Sequence, residues 1–355
     1  MAHALKAVPF ILPAGIALVA AMLASLGFGS VPIPIPEVLR ALLDPSAVEP
    51  GVRVIVRVIR MPRMIAAVSA GAALALSGLQ MQTLFRNPLA GPFTLGISSG
   101  AGLGVAVVVL AAGTGGVLGT LAEGFGGYGP YALVVAATAG AAAVLLAILA
   151  VARRMAEITT ILILGILFGY AANAITTALL QIAEPQQIQS YITWSFGSFA
   201  GVTWTQLGAF LPLAAVGILL SVRLMKPLNA LLLGERYAET LGMSVRRNRY
   251  AIIVTTALLA GATTAFCGPI AFIGIAVPHL CRFALRSSDH RVLIPACAVT
   301  GALVAVLSDL ISRLPGHDVT LPLNAVTAML GAPVVVLVIV RRGRAHGRFS
   351  SGAVR

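Results

Sequence analysis

Apolar runs long enough to cross a bilayer alternate with short polar stretches along almost the whole chain. Taking runs of about 20 apolar residues as spans, and allowing shorter ones where Gly and Pro interrupt, predicts about ten helices. They cover 8 to 29, 62 to 84, 94 to 113, 129 to 152, 159 to 183, 206 to 225, 250 to 267, 271 to 285, 291 to 312 and 322 to 341. The first run is longer than a signal-peptide core and no secreted domain follows, so it reads as a retained span. Arg153, Arg154 and Glu157 separate the fourth and fifth, whereas only Gly268-Pro269 divides the seventh from the eighth. The expected fold class is an all-α polytopic membrane protein, residues 1–355 forming one transmembrane domain.

The long polar interruption in the second half runs from Lys226 to Arg249. Within it Gly234 and Gly242 bracket good helix formers, with Glu235 at the start where the helix dipole favours a carboxylate. A short helix at a membrane surface is predicted. Tyr237, Ala238 and Leu241 fall on one side of it and Glu235 and Glu239 on another. It either docks in a groove of a soluble partner or simply connects two spans.

Composition sharpens this picture. Charged residues make up 10% and apolar residues 59%, against roughly 25% charged in a soluble domain. The net charge of +13 would suit nucleic acid, but the arginines cluster at the ends of apolar segments, where they set membrane orientation. An even number of spans puts both termini on one side. If that side is the cytoplasm, the 24 Lys and Arg residues leave only Arg40, Arg53, Arg57, Arg60, Arg63 and Arg313 outside, as the positive-inside rule requires. The Lys226 to Arg249 loop is then cytoplasmic. The outer arginines read as interfacial anchors or as a docking surface for an acidic partner.

Candidate chemistry is sparse. Cys267, Cys281 and Cys297 have no close pairing and the five histidines are scattered, so no disulfide frame, metal site or cofactor is indicated. Asp309 is the lone carboxylate inside an apolar run, with Arg313 at i+4; an ion-coupled transporter generally needs more ionisable groups at the midplane. Small residues abound instead, as in Gly96-Ile-Ser-Ser-Gly-Ala-Gly-Leu-Gly104, suited to close helix packing or to a pore wall kept free of bulk. The two lysines, Lys6 and Lys226, lie in no phosphate-cradling loop, and no metalloprotease, esterase-elbow or paired-carboxylate arrangement appears. Segments Gly91–Gly96 and Gly268–Gly274 echo each other weakly, as inverted repeats do in many transporters.

A family resemblance rests on Arg60-Met-Pro-Arg63, Gly78-Leu-Gln-Met-Gln-Thr-Leu-Phe-Arg-Asn-Pro-Leu-Ala90 and Leu95-Gly-Ile-Ser-Ser-Gly-Ala101. It continues through Leu233-Gly-Glu-Arg-Tyr-Ala-Glu-Thr-Leu-Gly242, Gly268-Pro-Ile-Ala-Phe-Ile-Gly-Ile-Ala-Val-Pro-His279, Asp289-His-Arg291 and Leu330-Gly-Ala-Pro333. These segments, in this order, resemble the FecCD-type permease subunits of bacterial ABC importers for iron-siderophores, haem and cobalamin. The resemblance implies a type II ABC importer permease fold in the inner membrane, a second permease subunit, identical or a close paralogue, a cytoplasmic ABC ATPase dimer and a periplasmic substrate-binding protein. Residues 226–249 would be the coupling loop, with Gly234, Glu235, Arg236, Tyr237, Ala238, Glu239, Leu241 and Gly242 at the ATPase. Arg60, Arg63 and Arg313 would meet acidic residues of the binding protein. A gate would lie at Thr159 and Thr160, before the helix that lines the path. Family base rates favour a ferric siderophore or haem as cargo, with cobalamin as the alternative; an ATP-independent secondary transporter and a membrane enzyme are the competing readings.

Overall fold

The computed structural model describes residues 8–111, 129–152, 158–313 and 320–350. Every regular element among them is helical: α1 (Val8–Gly27), α2 (Ile35–Leu43), α3 (Pro50–Val54), a π turn (Ile55–Arg60), α4 (Met61–Leu84), a 3₁₀ turn (Pro92–Leu95), α5 (Ile97–Ala111), α6 (Gly129–Ala152), α7 (Ile158–Gln181), α8 (Pro185–Ser195), α9 (Trp204–Arg223), α10 (Met225–Leu233), α11 (Glu235–Thr240), α12 (Val245–Cys267), α13 (Ile273–Leu285), α14 (His290–Ser312) and α15 (Leu323–Ser350). Among the described residues seven helices are long and apolar enough to span a membrane, and three shorter apolar ones, Ile97–Leu110, Ile273–Leu285 and Leu323–Leu337, sit at the remaining expected positions.

Helix α4 is the axis of the bundle and packs against α9, α12, α13 and α14. Its span window is 83% buried, against 22% for α1 and for α6. Close approach explains why this segment is rich in Gly and Ala. A Cβ at Gly78 would lie 1.7 Å from the Gly274 carbonyl oxygen, and one at Gly71 would lie 2.2 Å from the Gly301 oxygen, so the backbones touch without intervening side chains. In hydrocarbon an unpaired polar group is costly, and three polar residues towards the end of α4 bond to other helices. Gln80 Nε2 donates to Ser221 Oγ at 2.8 Å and Gln82 Nε2 to the Ile275 carbonyl at 3.1 Å, while Thr83 Oγ1 lies 2.9 Å from His290 Nε2.

The two echoing segments meet in space. A Cβ at Gly274 would lie 2.8 Å from Pro92 Cδ, and one at Gly91 would lie 3.0 Å from Ile275 Cγ1. The seventh and eighth spans are genuinely separate: Gly268 (φ +72°) and Phe272 (φ +66°) turn the chain between α12 and α13.

Arg63, at the start of α4, meets Asp309 near the end of α14, while Thr83 meets His290, so these helices run antiparallel. The bundle therefore has a near end, bearing α10 and α11, and a far end, bearing Arg60, Arg63 and Arg313.

Candidate functional site

At the near end, Gly234 (φ +122°) and Gly242 (φ +79°) flank α11. Both take backbone conformations that favour glycine, which makes α11 a discrete helix with its own direction. Glu235 is pinned: Arg249 Nη2 on α12 lies 2.9 Å from its Oε1. Ala238 is fully buried. The expectation that it groups on one side of the helix with Tyr237 and Leu241 is thus corrected, because its methyl seats the helix on the core while those two are exposed. Tyr237 (50% exposed), Leu241, Leu232 and Leu233 point outward, an apolar patch ringed by exposed Arg236 and Glu239.

Helix α10, not anticipated as a separate element, joins this surface to the bundle. Asn229 Nδ2 donates to Asp289 Oδ1 at 2.6 Å, and Asn229 Oδ1 accepts from the His290 backbone N–H at 2.9 Å. His290 Nδ1 lies 2.7 Å from the same Asn229 oxygen, and its other ring nitrogen reaches Thr83. A continuous polar chain thus runs from α10 through the start of α14 to the end of α4. The signal for Asn229 in the sequence was weak, a lone amide in a leucine-rich stretch.

At the far end the predicted docking arginines turn inward. Arg60 is 6% exposed; its Nη1 donates to the Leu26 and Gly27 carbonyls at 2.7 and 2.9 Å and its Nη2 to the Val31 carbonyl. Those first two carbonyls end α1 and have no partner within the helix, so Arg60 caps α1 and is not displayed to a partner. Asp309, 1% exposed, lies between two cations. Arg63 Nη2 is 2.9 Å from its Oδ1 and Arg313 Nη2 is 2.9 Å from its Oδ2. Arg313 Nη2 also donates to Ser25 Oγ at 2.7 Å. Burial lowers the pKa of the Arg313 guanidinium from its ordinary value, while Asp309 works in the opposite direction. Three charged groups in one cluster leave a net charge of +1 beside a cavity of about 210 Å³ lined by Arg63, Thr193, Phe196, Leu321 and Pro322.

A larger cavity of about 700 Å³ adjoins it, sharing Thr193 and Ser198, and is lined by Gln186, Gln189 and Ser190 of α8 against Leu133, Phe266 and Gln206. Asn324 fixes the end of α8, donating through Nδ2 to the Ser195 carbonyl at 3.0 Å and accepting at Oδ1 from the Ala271 N–H at 2.9 Å. Thr159 and Thr160, at the start of α7, are exposed and half-buried respectively; Arg153, Arg154 and Glu157 just before them lie outside the described residues. Helix α7 leaves Leu167, Tyr170 and Ile175 exposed.

The sequence model of the FecCD transport family matches residues 17–341, and the chain belongs to that family. The vitamin B12 import system permease proteins of Salmonella typhimurium and Salmonella paratyphi A are each 38% identical to it over 287 residues, covering 81% of this chain and 83% of theirs. A solved structure described as an inward-facing conformation, and assigned to the metal-chelate type of ABC transporter, superposes with a TM-score of 0.79 at 25% identity, covering 94% of this chain and 99% of that one.

Proposed function

We propose that this chain is one permease subunit of an ATP-driven importer carrying cobalamin across a bacterial inner membrane. The observation that carries the reading is the near-end surface, where an exposed apolar patch on a helix pinned by Glu235–Arg249 is joined through Asn229 and His290 to the central helix α4. Such a surface accepts force from a partner and passes it inward. No phosphate-cradling loop occurs in the sequence, so nucleotide chemistry belongs to a separate ATPase dimer seated on Tyr237 and Leu241. The positive-inside rule puts this end and both termini in the cytoplasm.

At the outer end, Arg63 and Arg313 supply the positive charge that orients a substrate-binding protein, with Arg60 holding the end of α1 beside them. Helix α7 faces the path and a second permease subunit, and Thr159 and Thr160 stand at its inner mouth. The vitamin B12 relatives move the cargo from ferric siderophore or haem to cobalamin. The metal-chelate assignment of the solved neighbour favours a ferric chelate as the second reading. Asp309 is neutralised by two arginines, which removes the ionisable group a secondary transporter would use.

Motion can be driven by ATP only if the ATPase contacts differ between two permease states. A cysteine at Tyr237 paired with one in the facing ATPase cleft tests this. Crosslinking that changes with nucleotide supports the reading; equal crosslinking with and without nucleotide contradicts it.

A further inference from the structure

A second basic site lies at the far end, away from the Arg63–Asp309–Arg313 cluster. It is a groove of about 400 Å³ between the π turn and the start of α9, lined by Arg53, Val54, Arg57, Val58, Met61 and Trp204. The π turn has a local cause. Pro62 has no N–H and its ring crowds the preceding turn, and Arg57 within the widened turn lines the groove together with Arg53 before it and Met61 after it. With i→i+5 bonding, seen where the Met61 N–H donates to the Val56 carbonyl, the partner of the Arg57 carbonyl would be position 62. The Trp204 indole N–H fills that role from α9 at 2.8 Å, which locks the groove's two walls together.

The lining is amphipathic. Val54, Val58 and Trp204 are all about half exposed or more, as expected of surface that faces hydrocarbon at the membrane boundary. Arg53 and Arg57 are exposed, and among the described residues neither makes a side-chain hydrogen bond or ion pair. No carboxylate lines the groove. The outward stripe of α9 below Trp204 continues through Gly208, Ala215, Leu219 and Val222, all exposed and within about one quadrant of the helix, and a Cβ at Gly208 would meet nothing within 4 Å, so this face is open beside Trp204.

We infer that this groove is a binding site for an anionic phospholipid, its phosphate held by the Arg53 and Arg57 guanidiniums and an acyl chain laid along Val58, Trp204 and the outward stripe of α9. Paired guanidiniums match phosphate oxygens by geometry as well as by charge. An acidic protein surface would satisfy the charge but would not cover the apolar wall that continues into the span. The inference needs only that the chain lies in a membrane and does not depend on the cargo.

Trp204 and Trp194 are the two tryptophans of the chain, so Trp194→Phe leaves Trp204 as the reporter. The full chain is reconstituted in phosphatidylcholine vesicles containing increasing fractions of phosphatidylglycerol with brominated acyl chains, or of brominated phosphatidylcholine, and quenching of Trp204 is recorded. The anionic lipid should quench at a mole fraction lower by on the order of tenfold, and Arg53→Gln with Arg57→Gln should abolish the preference while Arg40→Gln retains it. Equal quenching by the two lipids, or a preference that survives the double variant, would overturn the site. Displacement of the brominated lipid by an acidic substrate-binding protein would reassign the groove to that partner.

Discussion

Asp309 is shared by Arg63 and Arg313, each with a nitrogen 2.9 Å from a different carboxylate oxygen, in a site where the carboxylate side chain is 2% exposed. Helices α4 and α14 are thereby clamped at the far end, and Arg313 carries the clamp on to Ser25 of α1. One buried anion positions both cations that the proposed docking surface relies on.

Asp309→Asn keeps the shape and removes the buried charge, leaving the partly buried guanidiniums of Arg63 and Arg313 uncompensated. Breaking a buried pair in this way costs about 3–5 kcal/mol, so the thermal midpoint of the purified chain should fall steeply. Adding Arg313→Gln to the same variant should recover part of the loss. An unchanged midpoint for Asp309→Asn would show that the cluster does not hold the far end together.

Gly78→Ala places a methyl 1.7 Å from the Gly274 carbonyl oxygen, a backbone atom that cannot step aside. The cost should reach or exceed the top of the roughly 1–3 kcal/mol range for overpacking, seen as loss of folded protein in the membrane fraction. Gly208→Ala, which meets nothing within 4 Å, serves as the matched control and should fold normally.

Tyr237→Ser with Leu241→Ser removes the part of the exposed apolar patch that α11 and its end contribute, without touching the core. Stability should stay within about 0.5 kcal/mol of the parent, while co-purification of the ATPase is lost. Arg249→Gln should do the reverse in the first instance, loosening α11 from α12 and lowering the thermal midpoint.

Asn229→Ala cuts the polar chain between α10 and α14. The ATPase should still bind and hydrolyse ATP, but stimulation by the loaded binding protein should drop by at least about tenfold if the coupling through Asn229 is worth roughly 1.4 kcal/mol or more. Full stimulation in this variant would place the transmission path elsewhere.

Much of the architecture was legible because bilayer-length apolar runs are a strong signal. Residues 62 to 84 and 291 to 312 match α4 and α14 to within one residue at each end, and Gly234 and Gly242 bracket α11 as expected. The misses share a cause, which is polarity that hides a helix. Reading the seventh span from residue 250 discounts Arg246, Arg247 and Arg249, yet α12 begins at Val245 because Ser244 caps it. Helix α8 was passed over because its glutamines interrupt the apolar pattern, although Pro185 at its first position, and Gln187 accepting from the Glu184 backbone N–H at 3.0 Å, mark a helix start that Glu-Pro-Gln-Gln could have signalled. The inward turn of Arg60 was invisible, since only tertiary structure brings the end of α1 within reach of its guanidinium. Ala238 was grouped with Tyr237 and Leu241 on spacing alone, a rule that ignores which neighbouring helix lies beneath.

ATP-dependent uptake of cobalamin distinguishes this permease from the alternatives. The chain is reconstituted in liposomes with its candidate ATPase and substrate-binding protein, and accumulation of labelled cobalamin, a ferric siderophore and haem is followed with and without ATP. Cobalamin should accumulate only when ATP, the ATPase and the binding protein are all present, and the Tyr237→Ser and Leu241→Ser variant should accumulate none. Accumulation of cobalamin without nucleotide, or ATP-dependent accumulation of a ferric siderophore or haem in its place, would contradict the proposed function.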